Sequence, residues 1–155
     1  MNIAVRTGLA VAFVVAVAGC RENAEPERAQ ALWGEISAAG YRTWARPSNY
    51  PTRTPSHTLH GAKVDIFINA PLAAAEDSAS KLQAWPDGSI IVKDSYTSND
   101  LSLIAVMKKE AGVWFWAEYD KDGDVLFSGQ PKICTNCHGP REKWADWTYS
   151  LDLPR

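Results

Sequence analysis

The chain opens on an unbroken apolar stretch and then changes to shorter alternating and helical patterns. Residues 8–18, GLAVAFVVAVA, form an apolar run of eleven behind the positive Arg6. A membrane-spanning helix needs about 20 such residues, so this run has the length of a signal-peptide core. Residues 20–28 read as a polar tether, and residues 29–155 as one folded domain. Leu32, Trp33 and Ile36 fall at helical spacing and predict a helix over Pro26–Ala39, closed by Gly40. Residues 45–57 carry three prolines among Ser, Thr and Asn and predict an irregular loop. Val64, Ile66 and Ile68 alternate with Asp65, Phe67 and Asn69, which predicts a strand over 62–69. Residues 71–84 begin with Pro and continue in helix formers, so a second helix is expected there. Strands are expected at 89–95, 101–108, 113–119 and 125–127, with turns at Asp87-Gly88 and Asp122-Gly123. A short C-terminal helix should follow Cys134, with Trp144 and Trp147 on one face. This order predicts an α+β fold, predominantly antiparallel β-sheet with a few short helices; strand order is left open.

Composition narrows the function. The 155 residues hold 16 Lys plus Arg against 18 Asp plus Glu, a formal charge of −2. A nucleic-acid partner calls for a basic face, so none is expected. The apolar N-terminal run ends in Val17-Ala18-Gly19-Cys20, which resembles a bacterial lipobox. Residues 1–19 would then be removed and Cys20 acylated, tethering the chain to a membrane by lipid alone. The other reading is a plain secretory signal in which Cys20 is incidental. Both place the product outside the cytoplasm. Arg21, where inner-membrane lipoproteins carry Asp, resembles outer-membrane sorting in the periplasm.

One motif carries chemistry. Cys134-Thr135-Asn136-Cys137-His138 is CxxCH, the attachment sequence for one haem c. Two thioethers reach two vinyl groups on one porphyrin edge, and the following His turns under the ring to bind iron. A thioredoxin-like CxxC would follow an early strand and open a long helix. A zinc site would need further Cys or His at matching spacing, and only His57 and His60 remain. The 17 residues after His138 contain no Met and no His, and the mature chain has only Met107. That excludes the usual small electron-transfer cytochrome. The strands excludes a four-helix cytochrome. A β-rich haem protein with an open distal position remains, and open iron favours binding or transforming small molecules.

His60-Gly61, VDIFIN, PDGSIIVKDSY, LSLIAVMKKEAGVWFWAEY and CTNCH, spread over about residues 30–150, together resemble the cytochrome P-460 family, which includes the cytochromes c′-beta. The resemblance implies a mostly antiparallel sheet, a homodimer, and a haem held between the sheet and the C-terminal segment. His138 would be its protein axial ligand. It implies two functions. Enzymatic members carry a Lys covalently joined to the porphyrin and oxidise hydroxylamine, passing electrons to a redox partner protein. The c′-beta members lack that link and bind nitric oxide or carbon monoxide beneath an apolar distal face.

Lys93 matches the cross-linking position and shares a strand face with Ile91, opposite Ile90 and Val92. Without the resemblance it reads as an exposed strand lysine. Ile104 falls where hydroxylamine-oxidising members carry a distal carboxylate, and Ile takes no proton. Phe67 matches an aromatic position on the first strand. Phe67, Ile91 and Ile104 together imply a dry distal pocket that favours neutral diatomics such as nitric oxide. Arg141, three residues after His138, is expected on the proximal side or near a propionate. Met107 reads as core, the alternative being a sixth iron ligand in a simple electron-transfer cytochrome; His57 and His60 read as structural, Trp114 and Trp116 as core or dimer packing, and Asp120–Asp124 as a hairpin turn and not a calcium loop.

Overall fold

The computed structural model describes residues 23–154; the signal segment and Cys20 lie outside them. Helix α1 spans Pro26–Ala38, with Pro at its first turn and Ala29, Leu32 and Ile36 buried along one stripe. Six strands follow: β1 (Thr54–Thr58), β2 (Gly61–Ile68), β3 (Ile90–Thr97), β4 (Asp100–Glu110), β5 (Val113–Asp120) and β6 (Val125–Gly129). They pair antiparallel in chain order β1-β2-β3-β4-β5-β6. The α+β expectation holds, with an antiparallel meander as its sheet.

The sheet is covered on both sides. On one side α1 and the short turn Tyr41–Thr43 pack on Phe67, Ile90, Val92, Ile104, Val106, Phe115, Ala117 and Tyr119. On the other, the C-terminal segment and α2 (Ala70–Glu76) pack on Val64, Ile66, Ile68, Ile91, Met107, Trp114 and Trp116. Alternation along each strand sends neighbouring residues to these two layers. The first layer is pinned by a buried carboxylate: Asp94 accepts from the Tyr41 hydroxyl at 2.7 Å and from Arg42 Nε at 2.6 Å.

Several expected boundaries moved. The loop expected over 45–57 ends in an edge strand, where Pro55 is tolerated because its ring nitrogen owes no ladder bond. The second helix stops at Glu76, not residue 84. The Ser78 side chain offers the backbone a competing local hydrogen bond, its Oγ accepting from the Ser80 N–H. The freed chain then runs over the sheet, where Leu82 N–H donates to the Pro154 carbonyl and Trp85 N–H to Asp146 Oδ2. The described part of the expected tether is built into the fold: Ala24 N–H donates to the Ser128 carbonyl, and α1 already begins at Pro26.

The C-terminal helix is split into α3 (Lys132–His138), a 3-10 turn over Gly139–Arg141, and α4 (Glu142–Ala145). Asp146 and Trp147 then take left-handed φ values of 48° and 71°. Trp144 and Trp147 therefore do not share a helix face. Trp144 is exposed, whereas Trp147 turns back against Trp116 with ring centroids 6.5 Å apart. No helix among the described residues is long and apolar enough to cross a membrane.

Candidate functional site

Helix α3 carries CxxCH against the sheet. Pro131 precedes it in extended conformation, and its carbonyl accepts from the Cys134 and Thr135 N–H groups at 3.0 Å. One helical turn then separates Cys134 from His138. Cys134 is half-buried against the apolar cluster, Cys137 faces outward, and His138 is buried. His138 Nδ1 lies 2.7 Å from the Trp147 carbonyl oxygen. That acceptor assigns the proton to Nδ1 and leaves Nε2 as a lone-pair donor for a metal. The left-handed Asp146-Trp147 corner aims this carbonyl. Lys109 Nζ holds it at 2.8 Å from both Asp146 carboxylate oxygens, and Trp114 Nε1 donates to the Asp146 carbonyl.

Around the imidazole stand Trp116, Tyr149 and His60, with ring centroids 4.7, 5.1 and 6.3 Å away, all close to edge-on. The Tyr149 hydroxyl donates to the Cys137 carbonyl. Ile66, Lys93, Ala105, Glu118 and Phe127 form one row across β2 to β6, on the His138 side. Ala105 separates Lys93 from Glu118, placing their backbones about 10 Å apart at the usual strand spacing. His60 Nδ1 is buried without a hydrogen bond, and Glu118 Oε2 lies 3.9 Å from it.

Burial sets the charges here. It pushes His60 down to about 3, with Lys93 and His138 adding repulsion. Burial also lowers His138, against the opposing hydrogen bond to the Trp147 carbonyl and with help from Lys93. Both imidazoles are therefore neutral near pH 7, the form that ligates metals. Burial pushes Lys93 down to about 8, slightly opposed by Cys137, so its amine gains a lone pair in mildly alkaline solution. Burial raises the Glu118 carboxyl, making it a better proton acceptor.

Two of the three residues expected to form a dry pocket lie elsewhere. Phe67 and Ile104 pack in the α1 layer, across the sheet from His138; Phe67 meets Tyr41 at 5.7 Å. They sit one residue out of phase with Ile66 and Ala105, which face the motif. Ile91 does lie on the motif side, beside Met107 and Trp116. The motif side is thus more polar than expected, because Glu118 and His60 stand there beside the expected Lys93. Arg141 braces the segment that follows CxxCH, donating from Nε to the Thr148 carbonyl at 3.0 Å and pairing with Asp152. Met107 packs in the core as expected, and Asp120–Asp124 closes a hairpin turn through Asp120 Oδ1.

Sequence reasoning missed His60, Trp116, Glu118 and Tyr149. Trp116 and Glu118 share parity on β5, a signal that becomes usable only once the register to Lys93 is known. His60 and His57 do not come together, since His57 is exposed on β1 while His60 sits in the β1–β2 turn. No family model, curated protein or solved structure matches this chain.

Proposed function

We propose that this chain is an exported mono-haem c protein of the cytochrome P-460 type that binds or redox-handles small nitrogen species, nitric oxide first. Haem c would be held through Cys134 and Cys137, with His138 as proximal ligand. The observation that carries this reading is the His138 imidazole: neutral, buried, its Nδ1 committed to the Trp147 carbonyl, one helical turn from the first cysteine of CxxCH. The residues fit such a group. The cysteines and His138 share one short helix, the facing sheet is apolar at Ile66, Ile91 and Trp116, and the buried His60 Nδ1 and Ser95 Oγ lack protein partners. When bound, the haem supplies an iron able to take small nitrogen ligands and to exchange electrons. The protein's part is to orient His138 through Asp146 and Trp147, to exclude water with Trp116 and Met107, and to place Lys93 and Glu118 on the same face. A lipid tether at Cys20, a homodimer and a redox partner protein belong to the same reading.

The second reading is hydroxylamine oxidation with Lys93 joined to the porphyrin. The row containing Lys93 and Glu118 favours it. The carboxylate that Ile104 does not provide is present as Glu118, whose raised pKa suits a proton acceptor. Ile104, in the opposite layer, no longer argues against it.

Intact mass of the protein, made in a host competent in c-type haem attachment, tests both. A mass gain of one haem, lost in Cys134→Ser/Cys137→Ser, is the expected result; no gain refutes the proposal. A further loss of hydrogens that disappears in Lys93→Met selects hydroxylamine turnover, and its absence with tight nitric oxide binding selects gas handling.

A further inference from the structure

The first described residues are stitched to the edge of the sheet. Asn23 bridges Ser128 of β6 in parallel, Ala24 N–H donates to the Ser128 carbonyl at 3.1 Å, and Glu25 N–H donates to Ser128 Oγ at 2.8 Å. Ser128 Oγ in turn bonds Asn23 Oδ1. Gly129 allows this close fit: its φ is 92°, and a Cβ there would meet Glu25 Oε1 at 3.3 Å and Ala24 Cβ at 3.4 Å. Arg21 and Glu22 alone stand between Asn23 and Cys20. Three Cα steps reach at most about 11 Å, so a lipid on Cys20 leaves the β6 edge no room to stand off a bilayer. The same edge presents apolar side chains to solvent. Val113, Leu126 and Ile133 are 52%, 43% and 47% exposed. Val113 shares a cleft with Glu25, Gly129 and Gln130. Leu126 lies on β6 itself, about 7 Å along the strand from Ser128. Ile133 is on the first turn of α3, just beyond Gln130 and Pro131. Carboxylates here are neutralised: Glu25 pairs with Arg28, and Glu110 with Arg28 and Lys108. Exposed apolar side chains beside paired charges suit the headgroup boundary of a bilayer.

We propose that the β6 edge, from Asn23 to the start of α3, rests on a phospholipid bilayer, with Val113, Leu126 and Ile133 entering its headgroup boundary. This rests on the lipid tether at Cys20 in the reading above. The tether holds the edge within reach, and the side chains fix which way the domain turns. The consequence falls on CxxCH. Cys134 directly follows Ile133, so the attachment helix begins at the lipid surface. Apolar solutes gain by leaving water, so a neutral diatomic such as nitric oxide is more concentrated in the bilayer than beside it. The seating places the attachment helix next to that reservoir.

The test is photocrosslinking of the full chain in the membranes of the producing cell, read by intact mass. Photoreactive benzoylphenylalanine replaces Val113, Leu126, Ile133 or Thr97, one at a time. Thr97 is the control, on the β3–β4 turn and about 20 Å further along the strands than Gly129. Irradiation should add one phospholipid at each of the first three positions, in several-fold greater yield than at Thr97. Val113→Asp/Ile133→Asp should cut the yield at Leu126 several-fold. Acylated protein with no phospholipid adduct, or with equal yields at all four positions, overturns the seating. An adduct of twice the chain mass assigns the edge to a second copy and likewise overturns it. A yield at Leu126 that Val113→Asp/Ile133→Asp leaves unchanged overturns the entry of side chains into the bilayer. A chain without acyl mass overturns the tether reading beneath the proposal, and haem mass in the same spectrum is scored separately. Should the double variant fail to fold, the four single replacements decide alone.

Discussion

Replacing Lys109 by Met removes the cation from the most buried ion pair of the domain. Lys109 Nζ sits 2.8 Å from both oxygens of Asp146, and the two side chains are 4% and 10% exposed. With the ammonium gone, the carboxylate keeps one protein donor, the Trp85 N–H at 2.9 Å. Removing one member of such a pair typically costs about 3–5 kcal/mol, because the other charge stays behind unpaired. The remaining Trp85 bond places this case at the low end, about 3 kcal/mol. For a domain of this size that is a fall of about 10 °C in Tm. Neutralising the partner as well should recover much of the loss. Asn is the suitable replacement, since it tolerates the left-handed φ of 48° at position 146. Urea denaturation of the wild type, Lys109→Met and Lys109→Met/Asp146→Asn, followed by tryptophan fluorescence, measures these differences. A loss below about 1 kcal/mol for the single variant would refute the reasoning, since that is the range of an exposed pair. So would a double variant less stable than Lys109→Met.

Other groups give further expectations. Tyr41→Phe strips the buried Asp94 of its 2.7 Å hydroxyl donor and should cost about 1–3 kcal/mol by the same denaturation assay; a loss within error would mean that Arg42 alone satisfies the carboxylate. Burial, then the bond to Asp94, raises the Tyr41 pKa well above its ordinary 10. Its contribution is therefore complete below pH 10 and declines above it, where the unfolded chain loses the proton and the folded chain keeps it. Lys93 has the opposite slope. Its folded pKa of about 8 lies below the ordinary 10.5, so between these values the unfolded chain binds more protons and stability rises with pH. Lys93→Met should abolish that rise between pH 8 and 10, and an identical pH profile in both proteins would show that the amine is solvated.

Strand and turn positions were largely legible because β2 to β6 obey local rules. Asp-Gly pairs mark two turns, β-branched and aromatic residues fill the strands, and CxxCH needs no fold to be recognised. The second helix was overestimated because its continuation is decided by distant partners: Leu82 by Pro154, Trp85 by Asp146. The edge strand β1 was hidden by its polar, proline-bearing sequence TPSHT, since an edge needs little apolar burial.

From residues alone come the CxxCH triad, the exported character expected of the N-terminus and the alternating strands. Which side of the sheet each strand residue faces relative to that triad was decided only in three dimensions. Period-two alternation divides a strand into two faces and is silent on how one strand's faces match the next. Polarity usually breaks that tie, but β3, β4 and β5 are covered on both sides, so both faces are rich in apolar residues. Phe67 and Ile66, or Ile104 and Ala105, are thus equivalent candidates in the sequence. The antiparallel register sends Phe67 and Ile104 to α1, and gathers Lys93, Glu118, His60 and Trp116 around His138, because the C-terminal segment packs on that side and no other.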